Sequence, residues 1–78
     1  MKAINKKALE SAKERLGDIR SLIEDVLQDE RDAFEAKSEK WQESDRGQRA
    51  EDAIAALEDI VNTLQDAEDN LEDLLGEE

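Results

Sequence analysis

The chain has no cysteine, no histidine, no proline and no tyrosine, and only one tryptophan, one phenylalanine and three glycines in 78 residues. Without Cys or His there is no disulfide and no zinc site, the two usual supports of a small core. The same gaps remove the side chain that titrates near neutral pH and the one that is most nucleophilic there, so a non-enzyme without a cofactor is expected. Long apolar runs are missing too. No stretch approaches the roughly 20 apolar residues that span a bilayer, and the N-terminus shows no signal-peptide core, so the expectation is a cytoplasmic protein with no membrane segment.

Positive charge is also scarce, with 11 Lys and Arg against 23 Asp and Glu and a net charge of -12. Binding phosphates or an anionic lipid surface needs a basic patch, so neither nucleic acid nor membrane is expected as a direct ligand. The expected partners are proteins, among them ones with basic surfaces. With 78 residues the chain makes one domain, whose small core calls for oligomerisation or long helix packing as support.

What is present is a helical pattern. A charged fraction of 44% with a mean hydropathy of -0.89 is a composition also found in disordered chains. The periodicity argues otherwise. With Leu9 at heptad position a, the a and d positions read Leu9, Ala12, Leu16, Ile19, Ile23 and Val26; with Ala50 at a, they read Ala50, Ala53, Leu57, Ile60, Leu64, Ala67, Leu71 and Leu74. Ile54, Val61 and Leu75 widen the second stripe at e. Period-two alternation is absent, which excludes strands. Between the stripes, Leu27, Phe34 and Trp41 share a spacing of seven, offset by four residues from the Leu9, Leu16, Ile23 row as in a stutter.

These signals predict a first helix over about 4–36, a connector over about 37–44 and a second helix over about 45–75 ended by Gly76. Ser38 is placed to open a short helical turn at Trp41. Ser44 is placed as N-cap of the second helix, with Asp45 at the positive end of its dipole. Gly47 fits the chain reversal through its flexibility.

The segment Asp29-Glu30-Arg31-Asp32-Ala33-Phe34, followed by Trp41-Gln42-Glu43-Ser44-Asp45-Arg46-Gly47, resembles a group of short acidic proteins of phages, mobile elements and bacterial genomes. Their pattern is Asp-Glu-x-x-Ala-Phe, then Pro-Glu-x-Leu-Gln-x-Ser-x-x-Gly, then an acidic heptad helix. The resemblance covers Asp29 to Leu74 and is moderately specific at Gln42, Ser44 and Gly47; the chain departs from it with Ser38 in place of Pro and Trp41 in place of Leu. It implies a helical hairpin and a mobile-element setting, and it carries no activity.

The expected fold is therefore all-α, a two-helix antiparallel hairpin that dimerises into a four-helix bundle. Its self-association core is expected at Leu16, Ile19, Ile23, Val26, Leu57, Ile60, Leu64 and Leu71.

The charge is concentrated in one segment. Residues 1–28 nearly balance, with Lys2, Lys6, Lys7, Lys13, Arg15 and Arg20 against Glu10, Glu14, Asp18, Glu24 and Asp25, whereas residues 51–78 contain no Lys or Arg at all. Two explanations follow. The antiparallel first helix brings Lys2, Lys6, Lys7 and Lys13 beside the acidic end of the second and leaves a solvated face. Alternatively, Glu51/Asp52, Glu58/Asp59, Asp66 beside Gln65, and Glu72/Asp73, recurring every seven residues in steps of about 10.5 Å, form a ridge that occupies a basic groove on a nucleic-acid-binding protein. The functional expectation is an acidic interaction module acting as an inhibitor by charge mimicry. The competing ones are an assembly adaptor with an exposed apolar strip at Ile54, Val61 and Leu75, and a chain that folds only on its partner.

Other sites are weaker. Trp41 is expected to cap the end of the bundle with Phe34. The run Asp66, Glu68, Asp69, Asn70 lacks the Gly and the bidentate Glu of a calcium loop and continues a heptad, so no metal site is expected.

Overall fold

A computed structural model describes the backbone of residues 3–76 and the side chains of residues 5–76. Three helices follow one another: α1 (Ala3–Glu35), α2 (Glu39–Glu43) and α3 (Asp45–Gly76). The all-helical expectation holds, and no strand occurs among the described residues. The connector differs from expectation in being a helix itself for most of its length.

The local chemistry of the turn explains that difference. Ser38 takes an extended backbone (φ -65°, ψ 154°) and its Oγ accepts from the Trp41 N–H at 3.2 Å, starting α2 at the place the sequence indicates. Ser44 is again extended (φ -73°, ψ 170°), which ends α2 and starts α3. Its backbone N–H donates to the Trp41 carbonyl at 3.0 Å, and its Oγ accepts from the Gly47 N–H at 3.3 Å. The Ser44 hydroxyl also donates to the Trp41 carbonyl. Gln42 closes the C-terminal end of α1: its Nε2 donates to the Phe34 carbonyl at 3.0 Å, which also accepts from the Lys37 N–H at 3.1 Å, and to the Lys37 carbonyl at 3.2 Å just beyond the helix.

Gly47 is buried, and its role is not the flexibility expected of it. Its φ is not positive. A Cβ built there would collide with the Trp41 and Gln42 carbonyls, inside the 3.0 Å that real contacts never reach. Glycine is needed because the first turn of α3 passes directly under the last turn of α2. Gln42, Ser44 and Gly47 are thus the residues that build the reversal.

Beyond the turn, α1 and α3 lie side by side and antiparallel, since Arg31 meets Glu58, Arg20 meets Glu68 and Lys13 meets Glu72. The molecule is a rod, 57 × 14 × 13 Å across its Cα atoms. The seam is formed by the a and e rows. From the start of α1 it contains Leu9, Leu16, Arg20, Ile23, Leu27 and Phe34; from α3 it takes Ala50, Ile54, Leu57, Val61, Leu64, Glu68, Leu71 and Leu75. The contact line moves from the a row near Leu9 to the e row at Leu27 and Phe34, which is the drift of about 20° per heptad of a straight helix. The four-residue offset seen in the sequence has this cause.

Burial is thin. Among the described apolar residues only Leu27, 6% exposed, is fully buried; the other apolar seam residues are half-buried. Two helices wide is too narrow to enclose a core, because each helix presents a stripe wider than one neighbour can cover.

Candidate interaction surfaces

In an antiparallel pair that meets along a and e, the d and g rows of both helices fall on one side of the seam and the b and f rows on the other. The two sides of this rod differ in chemistry.

The b side is polar and cross-linked. Arg31 Nη2 donates to Glu58 Oε1 at 2.7 Å, and Lys13 Nζ lies 3.7 Å from Glu72 Oε2. At the centre of the seam Arg20 Nε donates to Glu68 Oε2 at 2.5 Å, while Arg20 Nη1 donates to Glu24 Oε1 at 2.6 Å. Glu68 is only 8% exposed and occupies space left by Gly17, where a Cβ would sit 3.1 Å from Glu68 Oε1. A buried carboxylate is tolerated because it is paired and bonded. The bond to Glu68 raises the Arg20 guanidinium above its ordinary pKa, against the opposing effect of desolvation and with smaller help from the charges of Glu68 and Glu24.

Compensation of the acidic helix therefore comes from Lys13, Arg20 and Arg31, spread along α1, and not from the lysine cluster alone. Lys2 lies outside the described residues. Arg20 and Glu68 are not legible as partners from the pattern because both stand at e, where a heptad accommodates hydrophobic or solvated side chains; the signal available is that Glu68 interrupts the apolar e row of Ile54, Val61 and Leu75, while Arg20 continues the basic e positions Lys6 and Lys13. Shallow grooves run along this side, the larger about 530 Å³ and lined by Glu24, Leu27, Arg31, Glu58 and Val61.

The carboxylate ridge divides into two rows. In the b row Glu51 is exposed, while Glu58 and Glu72 are engaged with Arg31 and Lys13. In the c row Asp52, Asp59, Asp66 and Asp73 are all exposed, and no ion pair among the described residues includes them. They span about 31 Å along α3.

The d and g side is apolar. Ile19, Leu22 and Val26 on α1 and Ile60 and Leu74 on α3 are exposed large hydrophobics, Leu22 at 63% and Ile19 at 48%. Of the expected self-association residues, Leu16, Ile23, Leu57, Leu64 and Leu71 are half-buried in the seam, and Ile19, Val26 and Ile60 stand on this open side. The apolar strip expected at Ile54, Val61 and Leu75 is corrected: those e positions face α1 and are half-buried, and the exposed strip is the d row with Leu22. The reason is that the a and e rows are used within the chain, which leaves d without a neighbour.

Trp41 is half-buried and meets Phe34 edge to face, with centroids 6.1 Å apart and Lys37 Nζ 5.3 Å from its ring centroid. Among the described residues no cluster of carboxylates could hold a metal ion, and no helix is long and apolar enough to cross a membrane.

Comparison with protein-family models, curated proteins and solved structures finds no match. The fold and the two faces alone define the class of molecule, an acidic α-helical rod with one apolar and one anionic side.

Proposed function

We propose that the protein is a non-enzymatic interaction module, a helical hairpin that pairs with a second copy into a four-helix bundle and presents the c-row carboxylates of α3 to a basic protein partner. The observation that carries this is the separation of faces: Ile19, Leu22, Val26 and Ile60 stand exposed on one side, and Asp52, Asp59, Asp66 and Asp73 point elsewhere with no cation bound to them among the described residues. Charges that α1 neutralises serve the fold. The c row is the regular part of what remains, and its spacing on a rigid helix suits a groove built for a polyanion, so inhibition of a nucleic-acid-binding protein by charge mimicry is the activity this surface supports best.

The test is competition. The protein should displace duplex DNA from basic nucleic-acid-binding proteins of its host, with an affinity that falls steeply as salt rises. Binding that is indifferent to salt, or that survives Asp→Asn changes at 52, 59, 66 and 73, would refute the mimicry. In that event the second reading, an assembly adaptor working through the exposed d row, is the one that its apolar side supports.

A further inference from the structure

The apolar side has a symmetry that says how a second copy sits on it. Along α1 its d and g residues are, in order, Ala12, Arg15, Ile19, Leu22, Val26, Asp29 and Ala33. Reversed about Leu22, this series maps onto itself within one residue: Ala12 on Ala33, Arg15 on Asp29, Ile19 on Val26. The only two charges on the series are of opposite sign and exchange places. Neither is used within the chain, for no ion pair among the described residues includes Arg15 or Asp29.

We propose that this side is an isologous homodimer interface whose two-fold axis crosses α1 at Leu22, so that α1 lies antiparallel to α1 of the second copy and α3 antiparallel to α3. The proposal rests on the self-association put forward above and adds its geometry. In a two-fold interface residue i meets j while j meets i, so a self-complementary series is what such an interface requires. Arg15 of each copy then meets Asp29 of the other at both ends of the α1 pair.

α3 agrees with this axis. The pairs Lys13 with Glu72, Arg20 with Glu68 and Arg31 with Glu58 place Leu22 level with the stretch from Thr63 to Ala67. At the Thr63 end of that stretch, an axis between Thr63 and Leu64 puts Ile60 opposite Ala67 and Ala53 opposite Leu74, a large side chain against a small one each time. The strip of α3, from Ala53 through Ala56, Ile60, Thr63, Ala67 and Asn70 to Leu74, contains no charge. Yet Glu51, Asp52, Glu58, Asp59, Asp66, Glu68, Asp69, Glu72 and Asp73 belong to the same helix, all at b, c, e or f. A face left to solvent has no reason to exclude them.

The other two-fold arrangement, with the axis along the rod, would set α1 against α3 and leave Arg15 and Asp29 facing that uncharged strip without partners, a costly outcome. Size is adequate as well. A face 57 Å long and 14 Å wide has a footprint on the order of 800 Å² per copy, what a stable complex of standard size buries.

Charge reversal in the full-length chain tests the geometry by sedimentation equilibrium, with circular dichroism to show that each variant is helical. The wild type should be a dimer. Arg15→Asp and Asp29→Arg, each of which sets two like-charge pairs in the dimer, should weaken it about tenfold, and the double variant should return to within about threefold of wild type. Because the chain has no Cys, Leu22→Cys offers a second measurement: on oxidation it should cross-link to itself as a dimer, whereas Asp66→Cys should not. A wild type that is monomeric at tens of micromolar overturns the self-association and this geometry together. A dimer that ignores the charge reversals, is not restored by the double variant, or fails to cross-link through position 22 overturns the geometry alone and leaves the dimer standing.

Discussion

Replacing Gly47 with Ala gives the sharpest test of the turn, because general helix physics and this structure predict opposite signs. Gly47 lies within α3, and exchanging a helical Gly for Ala ordinarily stabilises by about 1 kcal/mol. Here the added methyl collides with the Trp41 and Gln42 carbonyls, which are backbone atoms of α2 and cannot step aside as a flexible side chain would. Relief requires α2 to lift off α3. That movement strains the two bonds from Gln42 Nε2 to the Phe34 and Lys37 carbonyls and the Ser44 cap on Gly47 N–H, each worth about 1 kcal/mol net. Set against the propensity gain, the variant should lose about 2 kcal/mol. In urea, followed by ellipticity at 222 nm and at fixed protein concentration because self-association shifts apparent stability, this should appear as a clear fall in midpoint. Gly76→Ala is the control, since a Cβ there meets nothing within 4 Å. A Gly47→Ala variant as stable as wild type, or more so, would refute the close approach of α2 and α3.

Other predictions follow from the same contacts. Arg20→Met should lower the urea midpoint more than Glu68→Gln does, because the first strands a buried carboxylate whereas the second leaves a guanidinium that still has Glu24 and water. Since the pKa of Arg20 is raised, its contribution is fully present below its ordinary value and is lost only as pH rises through the raised one, so urea midpoints should not change through this group in mild base. Phe34→Ala should shift the Trp41 emission maximum to longer wavelength by removing its edge-to-face neighbour, and an unchanged spectrum would contradict that contact. Gln42→Ala should cost about 1 to 2 kcal/mol with no loss of helical content in α3, measured in the same urea titration.

Local features of this fold were legible in the sequence and pairings across the seam were less so. Ser38 and Ser44 act over three residues, so a hydroxyl at the right distance from a helical start was enough to place α2 and α3. The helix limits, about 4–36 and 45–75, stand within one residue of those described. Which rows meet was hidden, because a stripe covering a, d and e is wide enough to face two neighbours and its width does not say which flank is used within the chain. The pattern therefore leaves Ile54 and Val61 in the stripe or, for an adaptor, outside it, and in the fold they line the seam while Leu22 stands exposed. Gln42 bears no periodic signal at all; its value depends on where the end of α1 arrives in space. The carboxylate ridge was visible as a repeat, but its division into a bonded b row and an open c row depends on Arg31 and Lys13, which are remote in sequence.

The fit of Glu68 beside Gly17 also bears on alignment between the long helices. Heptad repeats resemble themselves after a shift of seven, so an antiparallel pair can in principle slide by two turns and still match apolar rows. On α1 the row through Gly17 continues to Glu10 on one side and Glu24 on the other. A slip in either direction would bring the Glu68 carboxylate against another carboxylate, at a position with little water to screen the two. One glycine between two glutamates thus disfavours both slipped positions, most of all the one toward Glu24, where Leu27 would stand in the place of Arg20; toward Glu10, Lys13 would take that place.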